Sequence, residues 1–372
     1  MMRRFVLWSG VLLLAVIMLA AITVFAAPYM PTLKDFAQTF YPAVRYTLSG
    51  QNPYTGYYEI TDQGAPPAFF SPAWFLLILL PFGLFPLPEA QVLWGIFLIG
   101  VTLAAVWRLR AWGVSGAWTP LLLLLPWSLI SILFGQPTAV VLLGALEAII
   151  QVYQRPQTRR SGFILLLAFL LLGIKPQLGL LIAVPLLLQM VWQRDRRLWI
   201  VGIGGVIIVG GTLWLTFPYL LDLADDVQKI APHWQSTLER ELLLRQGPMW
   251  LATAVRLFVV GMMGWWAYRA KGLTFSWWAG WLTAVLILTP YTRAYDNVLM
   301  LPLLAQMIAF RRWCFLIFVG LLVLYLFTPH GELGSVVAPL TAWLLFVPWR
   351  SLATGQWQEW RLTNDQSPMV NR

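Results

Sequence analysis

The chain is a series of apolar runs, many of them close to 20 residues long, joined by short polar connections. A helix of about 20 apolar residues spans the hydrocarbon core of a bilayer. Of the 372 residues, 59% are hydrophobic and only 11% are charged, whereas soluble domains carry about 25% charged residues. These properties predict an all-α, polytopic membrane protein that is embedded in the lipid bilayer.

We predict about 11 to 13 transmembrane helices, and the range reflects one conflict in the charge pattern. Lys and Arg cluster in connections that stay in the cytoplasm, and RLR at 108–110 resembles such a cluster. Two full spans between residues 71 and 107 would instead place it outside. The candidate spans are 5–27, 71–86, 88–107, 117–133, 137–153, 161–174, 177–192, 198–216, 250–268, 275–289, 297–310, 313–328 and 335–349.

The first predicted span follows two arginines and runs from Phe5 to Ala27. It is longer than the apolar region of a signal peptide, about 7–15 residues, so we expect it to be retained with a cytoplasmic start. Residues 28–70 and 217–248 then form two long extracytoplasmic loops of a transmembrane domain over 1–350, followed by a polar, partly disordered tail, 351–372. This predicts a multi-pass plasma-membrane protein with its active site on the extracytoplasmic face.

Charge and cysteine content exclude several function classes. The net charge of +10 does not indicate nucleic acid, because the bases lie in short clusters between apolar runs and form no basic face. A single cysteine, Cys314, excludes an internal disulfide, and two histidines speak against a histidine metal site. No phosphate-binding loop motif or dinucleotide fingerprint occurs. We predict no cofactor and assign no metal ligand, although a divalent metal requirement stays open.

The first long loop contains LKDFAQTFYPAVRYTLSG, which carries an acid shortly after the first span. Thr32 and Asp35 have the spacing of a capping box, and Ser49 with Gly50 is typical of a helix end, so we predict a helix between them. Asp35 and Arg45 fall near one face of that helix. Either Asp35 caps a juxtamembrane helix and Arg45 is a surface charge, or both face the head group of a lipid-linked substrate.

Lys175 lies within the long apolar stretch LLLAFLLLGIKPQLGLLIAVPLLLQ. A lysine at mid-bilayer costs roughly 2.5–3.5 kcal/mol on insertion scales. Pro176 is expected to break the helix there and to divide the stretch into two short spans. Lys175 either snorkels from a span end or directs its ammonium group at a phosphate or pyrophosphate leaving group.

A second cation, Arg293, lies in the predicted outer connection TPYTRAYDN, together with Tyr291, Tyr295 and Asp296. It departs from the rule that bases stay in the cytoplasm, and an arginine can hold a phosphate with two parallel hydrogen bonds. Arg293 is therefore a candidate phosphate ligand, and Tyr291 and Tyr295 are candidate substrate-binding residues beside it. Alternatively, it forms an ion pair with Asp296 that closes the connection.

Four further polar residues lie in predicted outer turns and loops or in the helix that follows one of them. Gln136 occupies the tight turn FGQPT, and Glu147 in the next helix is expected to hydrogen-bond to a neighbouring helix rather than to act in catalysis. His233 and Trp234 lie in the second long loop. A tryptophan there can stack on the face of a sugar, so both are candidate substrate-binding residues.

Motifs in a fixed order carry a family resemblance over nearly the whole chain. They begin with the first-loop acid and continue with F-x-P, G-Q, K-P and T-P-Y pieces. The chain resembles glycosyltransferase family 87, a group that includes the polyprenol-phosphate-mannose-dependent mannosyltransferases. The residues concerned are Asp35, Phe36, Tyr41, Ala43, Arg45, Leu48, Gly50, Asn52, Pro53, Tyr54, Phe70, Pro72, Pro81, Gly135, Gln136, Lys175, Pro176, Thr289, Pro290, Tyr291 and Tyr295.

The resemblance implies a GT-C fold, a multispanning helical bundle with its active site at the outer face. It implies transfer of a hexose, with mannose as the default, from a polyprenyl-phosphate donor with inversion at the anomeric carbon, and it implies that Asp35 is the general base. We expect the acceptor to be a glycolipid, a glycan or a protein. From the residues themselves we expect Lys175 and Arg293 to hold phosphate, and Arg45 and Gln136 to line the pocket.

A transporter or flippase of lipid-linked sugars is the main alternative, because it would use the same buried cations and many spans. Transporters often contain inverted repeats with matching broken helices. The sequence has no convincing second copy of the Asp35 loop, which favours the enzyme. A catalytically inactive membrane scaffold is the third hypothesis.

Overall fold

A computed structural model of the chain confirms the predicted all-α class: within the ranges it describes there is no β-strand. The predicted span 5–27, parts 28–32, 55–68 and 70 of loop 28–70, part 231–246 of loop 217–248 and the tail 351–372 lie outside these ranges. The described residues are 33–54, 69, 71–112, 122–123, 125–153, 157–230, 247–270, 272–289, 292–310, 314–319, 321 and 338–346.

Most of the described residues belong to α-helices. They are α1 (Tyr41–Leu48), α2 (Ala73–Gly83), α3 (Leu87–Arg108), α4 (Pro126–Leu133), α5 (Thr138–Tyr153), α6 (Arg159–Gly173), α7 (Pro176–Trp192), α8 (Leu198–Ile230), α9 (Trp250–Arg269), α10 (Phe275–Leu288) and α11 (Leu301–Phe310). A π-helical turn, Phe36–Phe40, precedes α1, and 3-10 helices cover Leu109–Trp112 and Ala294–Met300. Helical residues also occur at 314–319 and 338–346.

Three of the described helices are long and apolar enough to cross a membrane: α3, the Leu198–Phe217 part of α8, and α9. Shorter apolar helices, α2, α5, α7 and α10, accompany them. The Leu198–Phe217 part of α8 has no fully buried residue: one side packs on the core through half-buried residues such as Leu198 and Val201, and the other side is exposed. The apolar character predicted from the sequence is therefore present, whereas the predicted number of spans stays a prediction.

Several helix boundaries differ from the predicted spans. Predicted span 71–86 contains only α2, whose 11 residues rise about 16 Å, roughly half of the hydrocarbon thickness. Predicted span 297–310 divides into a 3-10 helix and α11. Predicted span 198–216 is part of a longer helix, because α8 continues to Ile230, so the first part of the predicted extracytoplasmic loop 217–248 is helical. In YLLDLADDVQKI, apolar residues recur at spacings of three and four, the pattern of a helix rather than a loop.

Two sets of connections lie at opposite ends of the helix bundle. Near the start of α3, the Trp94 indole N–H donates to the Gly135 carbonyl at 2.9 Å, just before α5 begins. At the far end of α3, Arg108 donates to Glu147 of α5 at 2.7 Å, which confirms the expectation that Glu147 bonds to a neighbouring helix. The helices α3 and α5 therefore run in the same direction. We call the end near Gly135 the turn end and the end beyond Glu147 the arginine end.

The arginine end collects the basic connections. Trp112, after α3, contacts Phe275 at the start of α10 with a ring separation of 5.2 Å, and Tyr153 at the end of α5 donates to the Leu273 carbonyl. The arginines at and just after the end of α3, in the first turn of α6, between α7 and α8 and at the end of α9 therefore share this end. They are Arg108, Arg110, Arg159, Arg160, Arg194, Arg196, Arg197 and Arg269.

A buried ion pair joins three elements at the arginine end. The Arg197 guanidinium binds the Asp195 carboxylate, with Nη2 and Oδ2 2.5 Å apart, and both side chains are almost fully buried. The remaining Arg197 nitrogen, Nη1, donates to the Gln151 carbonyl of α5 at 2.8 Å and to the Ser161 hydroxyl of α6 at 3.1 Å. The turn before α8 is thereby held against the end of α5 and the start of α6.

An aromatic layer supports the start of the described chain at the turn end. The Phe36 ring stacks on Trp94 of α3 at 5.3 Å, and Phe82 of α2 meets Trp94 edge-on at 5.1 Å. Phe40, one π turn later, meets Phe75 of α2 edge-on at 5.4 Å. These contacts place the segment that carries Asp35 over α2 and α3.

The sequence predicted one regular helix after Asp35, but the structure has a π turn followed by α1. The Tyr41 N–H donates to the Phe36 carbonyl five residues earlier, which makes Phe36–Phe40 a π turn, a feature found frequently at functional sites. The predicted end is confirmed: α1 stops at Leu48, and Gly50 has a positive φ of 72°. The predicted cap Thr32 lies outside the described residues.

The arginine-end ion pair gives a stability prediction. The Asp195→Ala variant should lose about 3–5 kcal/mol of unfolding free energy, because it leaves the Arg197 guanidinium buried without its carboxylate. The thermal midpoint of the detergent-solubilised protein measures this loss. The Asp195→Ala/Arg197→Met double variant removes both charges and should recover most of it; a double variant as unstable as the single one would contradict this account.

Candidate functional site

Asp35 owes its position to direct contact between two stretches of main chain. The Leu33 N–H donates to the Leu133 carbonyl at 2.7 Å, and the Asp35 N–H donates to the Phe134 carbonyl at 3.1 Å. Gly135 follows with a φ of 71°, and a Cβ at this position would lie 2.9 Å from the Phe36 Cβ. A glycine is therefore required by both backbone conformation and space.

The Asp35 carboxylate accepts a hydrogen bond from the Gln136 side chain, which the same turn presents. Asp35 is half-buried, and burial raises the pKa of its carboxyl above the ordinary value. The hydrogen bond from Gln136 and the charges of Lys175, Lys34 and Arg293 lower that pKa by smaller amounts. A carboxylate in this setting is a stronger base than an exposed aspartate, yet it stays close to three cations.

Lys175 lies at the break between α6 and α7, where its charge acts on Asp35. Gly173 ends α6 and Pro176 starts α7, so the predicted break at Pro176 is confirmed. The Lys175 ammonium is buried and donates to the Asp296 Oδ1 at 2.6 Å. The interpretation of a snorkelling lysine is therefore wrong: the ammonium is neutralised inside the protein rather than by water.

Asp296 joins three elements at the turn end. Its Oδ1 also accepts from the Thr138 hydroxyl, the first residue of α5, at 2.8 Å. Its Oδ2 accepts from the Arg293 backbone N–H at 2.9 Å. The connection 292–296 is thus closed through the Arg293 main chain, and the Lys175 ammonium binds the same carboxylate.

Two aromatic rings flank the cations. The Lys175 ammonium lies 4.6 Å from the centroid of the Tyr295 ring, a cation–π contact. The Tyr295 ring in turn lies 6.0 Å from Phe134, in the turn that binds Asp35. Residues from four separate connections therefore surround the Asp35 carboxylate.

The structure brings together five of the predicted site residues and separates one. Asp35, Gln136, Lys175, Arg293 and Tyr295 meet at the turn end. Arg45 instead donates to the Gly83 carbonyl at 3.1 Å, where it satisfies the end of α2, because the π turn changes the face that the following helix presents. Tyr291, His233 and Trp234 lie outside the described residues.

Sequence reasoning missed three contributors: Lys34, Thr138 and the role of Asp296. The sequence offered one signal for Asp296, since a lysine buried in an apolar stretch needs a carboxylate partner. It gave no means to choose between the acids of the outer connections. Within the described residues, no group of three His, Cys, Asp or Glu side chains could hold a metal ion.

This arrangement can remove a proton and receive an anion. The Asp35 carboxylate can accept a proton from a hydroxyl group, and Lys34, Lys175 and Arg293 outnumber the carboxylates Asp35 and Asp296 by one charge. A developing negative charge, such as that of a departing phosphate, is stabilised beside such cations.

Comparison of the chain with protein-family models, with curated proteins and with solved structures gives no match. The resemblance to glycosyltransferase family 87 therefore stays a prediction that rests on the motif residues.

The contact at Gly135 gives a prediction with a matched control. Gly135→Ala should cost about 1–3 kcal/mol of stability through the clash with Phe36, in addition to about 1 kcal/mol for the positive φ. Gly50 has the same φ but open space around it, so Gly50→Ala should cost only the smaller amount. Thermal midpoints in one detergent compare the two variants, and equal losses would show that the main-chain contact is not tight.

Proposed function

We propose that this chain is an integral membrane glycosyltransferase that moves a hexose, mannose by default, from a polyprenyl-phosphate donor to an extracytoplasmic acceptor with inversion. The observation that carries the proposal is the half-buried Asp35 carboxylate, held by Gln136 within the field of Lys175 and Arg293. The ordered motifs that resemble glycosyltransferase family 87 support the same activity. The acceptor class is a glycolipid, a glycan or a protein.

In the proposed reaction, the acceptor oxygen forms a bond to the anomeric carbon while the bond from that carbon to the phosphate oxygen breaks. Asp35 takes the acceptor proton, a contribution of about 10²–10⁴-fold for a general base. The electron pair leaves with the phosphate. A phosphate is already a good leaving group at neutral pH, so it needs cations rather than an acid, and one carboxylate suffices.

The cations divide the work of holding the phosphate. The Arg293 side chain, whose charge acts on Asp35, and the exposed Lys34 are the proposed phosphate ligands, and an arginine can hold a phosphate with two hydrogen bonds. The Lys175 ammonium already donates to Asp296, which leaves two of its three N–H groups for another acceptor. Lys175 therefore acts as a fixed charge that the protein orients before the donor arrives.

The proposed membrane arrangement places the turn end outside and the arginine end in the cytoplasm, as the positive-inside rule requires. The conflict at RLR 108–110 then has a simple solution. The helix α2 is too short to cross, and its Trp74 donates to the Leu170 carbonyl near the turn end of α6, while its Phe82 packs on Trp94 near the turn end of α3. The block 71–107 thus crosses once, through α3.

The proposal predicts the behaviour of Asp35→Asn. This variant should lose sugar transfer by about 10²–10⁴-fold and still bind the polyprenyl-phosphate sugar, because the amide keeps the shape and loses the base. Transfer from synthetic polyprenyl-phosphate sugars to a panel of acceptors measures the rate. Glu89 is an exposed acid in the first turn of α3, also at the turn end. The Glu89→Gln variant is therefore the matched control and should retain the transfer rate.

Normal transfer by Asp35→Asn would refute the role of Asp35 as base. Movement of the lipid-linked sugar across a vesicle membrane without transfer would instead favour the transporter hypothesis.

Because the pKa of Asp35 is raised, the acid limb of the pH–rate profile should lie at higher pH than for an ordinary aspartate. The base must be deprotonated, so the rate should fall as pH falls through a pKa above the ordinary 3.8. Lys175→Met removes a charge that lowers this pKa, so the limb should move to higher pH. Arg269→Met, which removes one exposed charge at the arginine end, is the control. A limb that stays in place in Lys175→Met would show that Lys175 does not act on Asp35.

A further inference from the structure

Four exposed arginines form a patch at the arginine end, away from the candidate site. Arg159 and Arg160 lie in the first turn of α6, and Arg194 and Arg196 lie in the turn between α7 and α8. The first turn of α6 is fixed by a reciprocal capping box between Thr158 and Ser161. We call these four residues the arginine patch.

The buried Arg197–Asp195 pair holds the two halves of the arginine patch side by side. Arg197 donates to the Ser161 hydroxyl at 3.1 Å, which fixes the 194–196 turn against the start of α6. Asp195 and Arg197 point inward and are buried, so the alternate residues, Arg194 and Arg196, are exposed. The backbone positions of the four arginines are therefore set by the fold.

The arginine patch is an unfavourable arrangement for the protein alone. Arg159 and Arg160 lie at the positive end of the α6 dipole, where cations are disfavoured. Among the described residues at this end, the carboxylates of Asp195 and Glu147 already bind Arg197 and Arg108. An anion from outside the described residues would neutralise the patch.

The surface beside the arginine patch indicates what kind of anion fits. Phe163, Trp192 and Trp199 lie within one helical turn of the arginines on α6, α7 and α8, and they are 63%, 89% and 74% exposed. A soluble anion makes no use of such a surface. A membrane phospholipid carries both a phosphate and acyl chains, and tryptophans are enriched at the level of lipid head groups.

We propose that Arg159, Arg160, Arg194 and Arg196 bind the phosphate head group of an anionic phospholipid, whose acyl chains lie along the exposed faces of α6, α7 and α8. Basic pockets between transmembrane helices on the cytoplasmic side bind such head groups in other membrane proteins. The inference is independent of the proposed transferase activity, since it concerns the opposite end of the bundle.

Native mass spectrometry of the full chain in detergent tests the arginine patch with two probes, phosphatidylglycerol and phosphatidylcholine with the same acyl chains. The first phosphatidylglycerol molecule that binds to the protein should bind at least about tenfold more tightly than the first phosphatidylcholine molecule. Arg194→Gln/Arg196→Gln should weaken phosphatidylglycerol binding about 30-fold, at about 1 kcal/mol for each arginine near the membrane surface. Arg159→Gln/Arg160→Gln is the second variant if the first does not fold.

Arg110→Gln/Arg269→Gln is the matched control, since it removes the same charge from the same end. These two arginines lie over the rings of their own neighbours, Trp107 and Trp265, at 4.4 and 5.0 Å. Binding should change less than about threefold in the control. Equal losses in both double variants would overturn the proposal in favour of general attraction.

Other occupants of the arginine patch have distinct outcomes. Equal binding of the two lipids would overturn the proposal, and displacement of phosphatidylglycerol by millimolar inorganic phosphate would assign the patch to a soluble anion. The tail 351–372 contains Glu359 and Asp365. A truncation after residue 350 that tightens lipid binding about tenfold by itself would assign the patch to the tail.

Discussion

The candidate site depends on the buried ion pair between Lys175 and Asp296. Lys175 belongs to the break between α6 and α7, Asp296 to the 3-10 helix before α11, and Thr138, which shares the same carboxylate, to the start of α5. Removal of one partner from a buried pair leaves a charge without compensation, so the three elements cannot separate at low cost. Because Gln136 lies two residues before Thr138, the pair also determines where the hydrogen-bond donor to Asp35 stands.

Each end of the bundle buries a cation and neutralises it with a carboxylate, but the two ion pairs connect different parts of the chain. Both hold a buried ion pair, Lys175–Asp296 at one end and Arg197–Asp195 at the other. At the arginine end the two partners are two residues apart, so the ion pair lies within one turn, and Arg197 ties that turn to α5 and α6. At the turn end the partners are 121 residues apart, so the pair gathers remote connections around a shared space. The neighbours of the first pair, Arg194 and Arg196, are exposed, whereas Lys175 and Asp296 of the second pair are buried among the connections of the candidate site.

Local sequence patterns predicted many helix ends and candidate site residues. They did not predict which distant side chains form hydrogen bonds or ion pairs with each other. Pro176 and Gly50 end or start helices through their own backbone chemistry, and both predictions are confirmed. The sequence also identified Asp35, Gln136, Lys175 and Arg293, because polar residues among apolar ones are conspicuous. It could not show that Lys175 takes Asp296 or that Arg45 binds the end of α2, since such pairings follow from the packing of distant helices. The helical extension of α8 was missed because its charged residues masked an apolar stripe.

The π turn at Phe36–Phe40 makes the chain length between Asp35 and α1 a determinant of the site. Both sides of the turn are anchored: Asp35 by its main chain to the α4–α5 turn, and α1 by Val44 and Arg45 to the end of α2. A π turn holds about one residue more than an α turn, and one residue of an α-helix corresponds to about 100° of rotation. Loss of a single codon in this stretch would leave either the carboxylate or α1 facing the wrong way, although every anchoring side chain would still be encoded. Natural variants of this protein should therefore tolerate exchange of residues here far better than a change in their number.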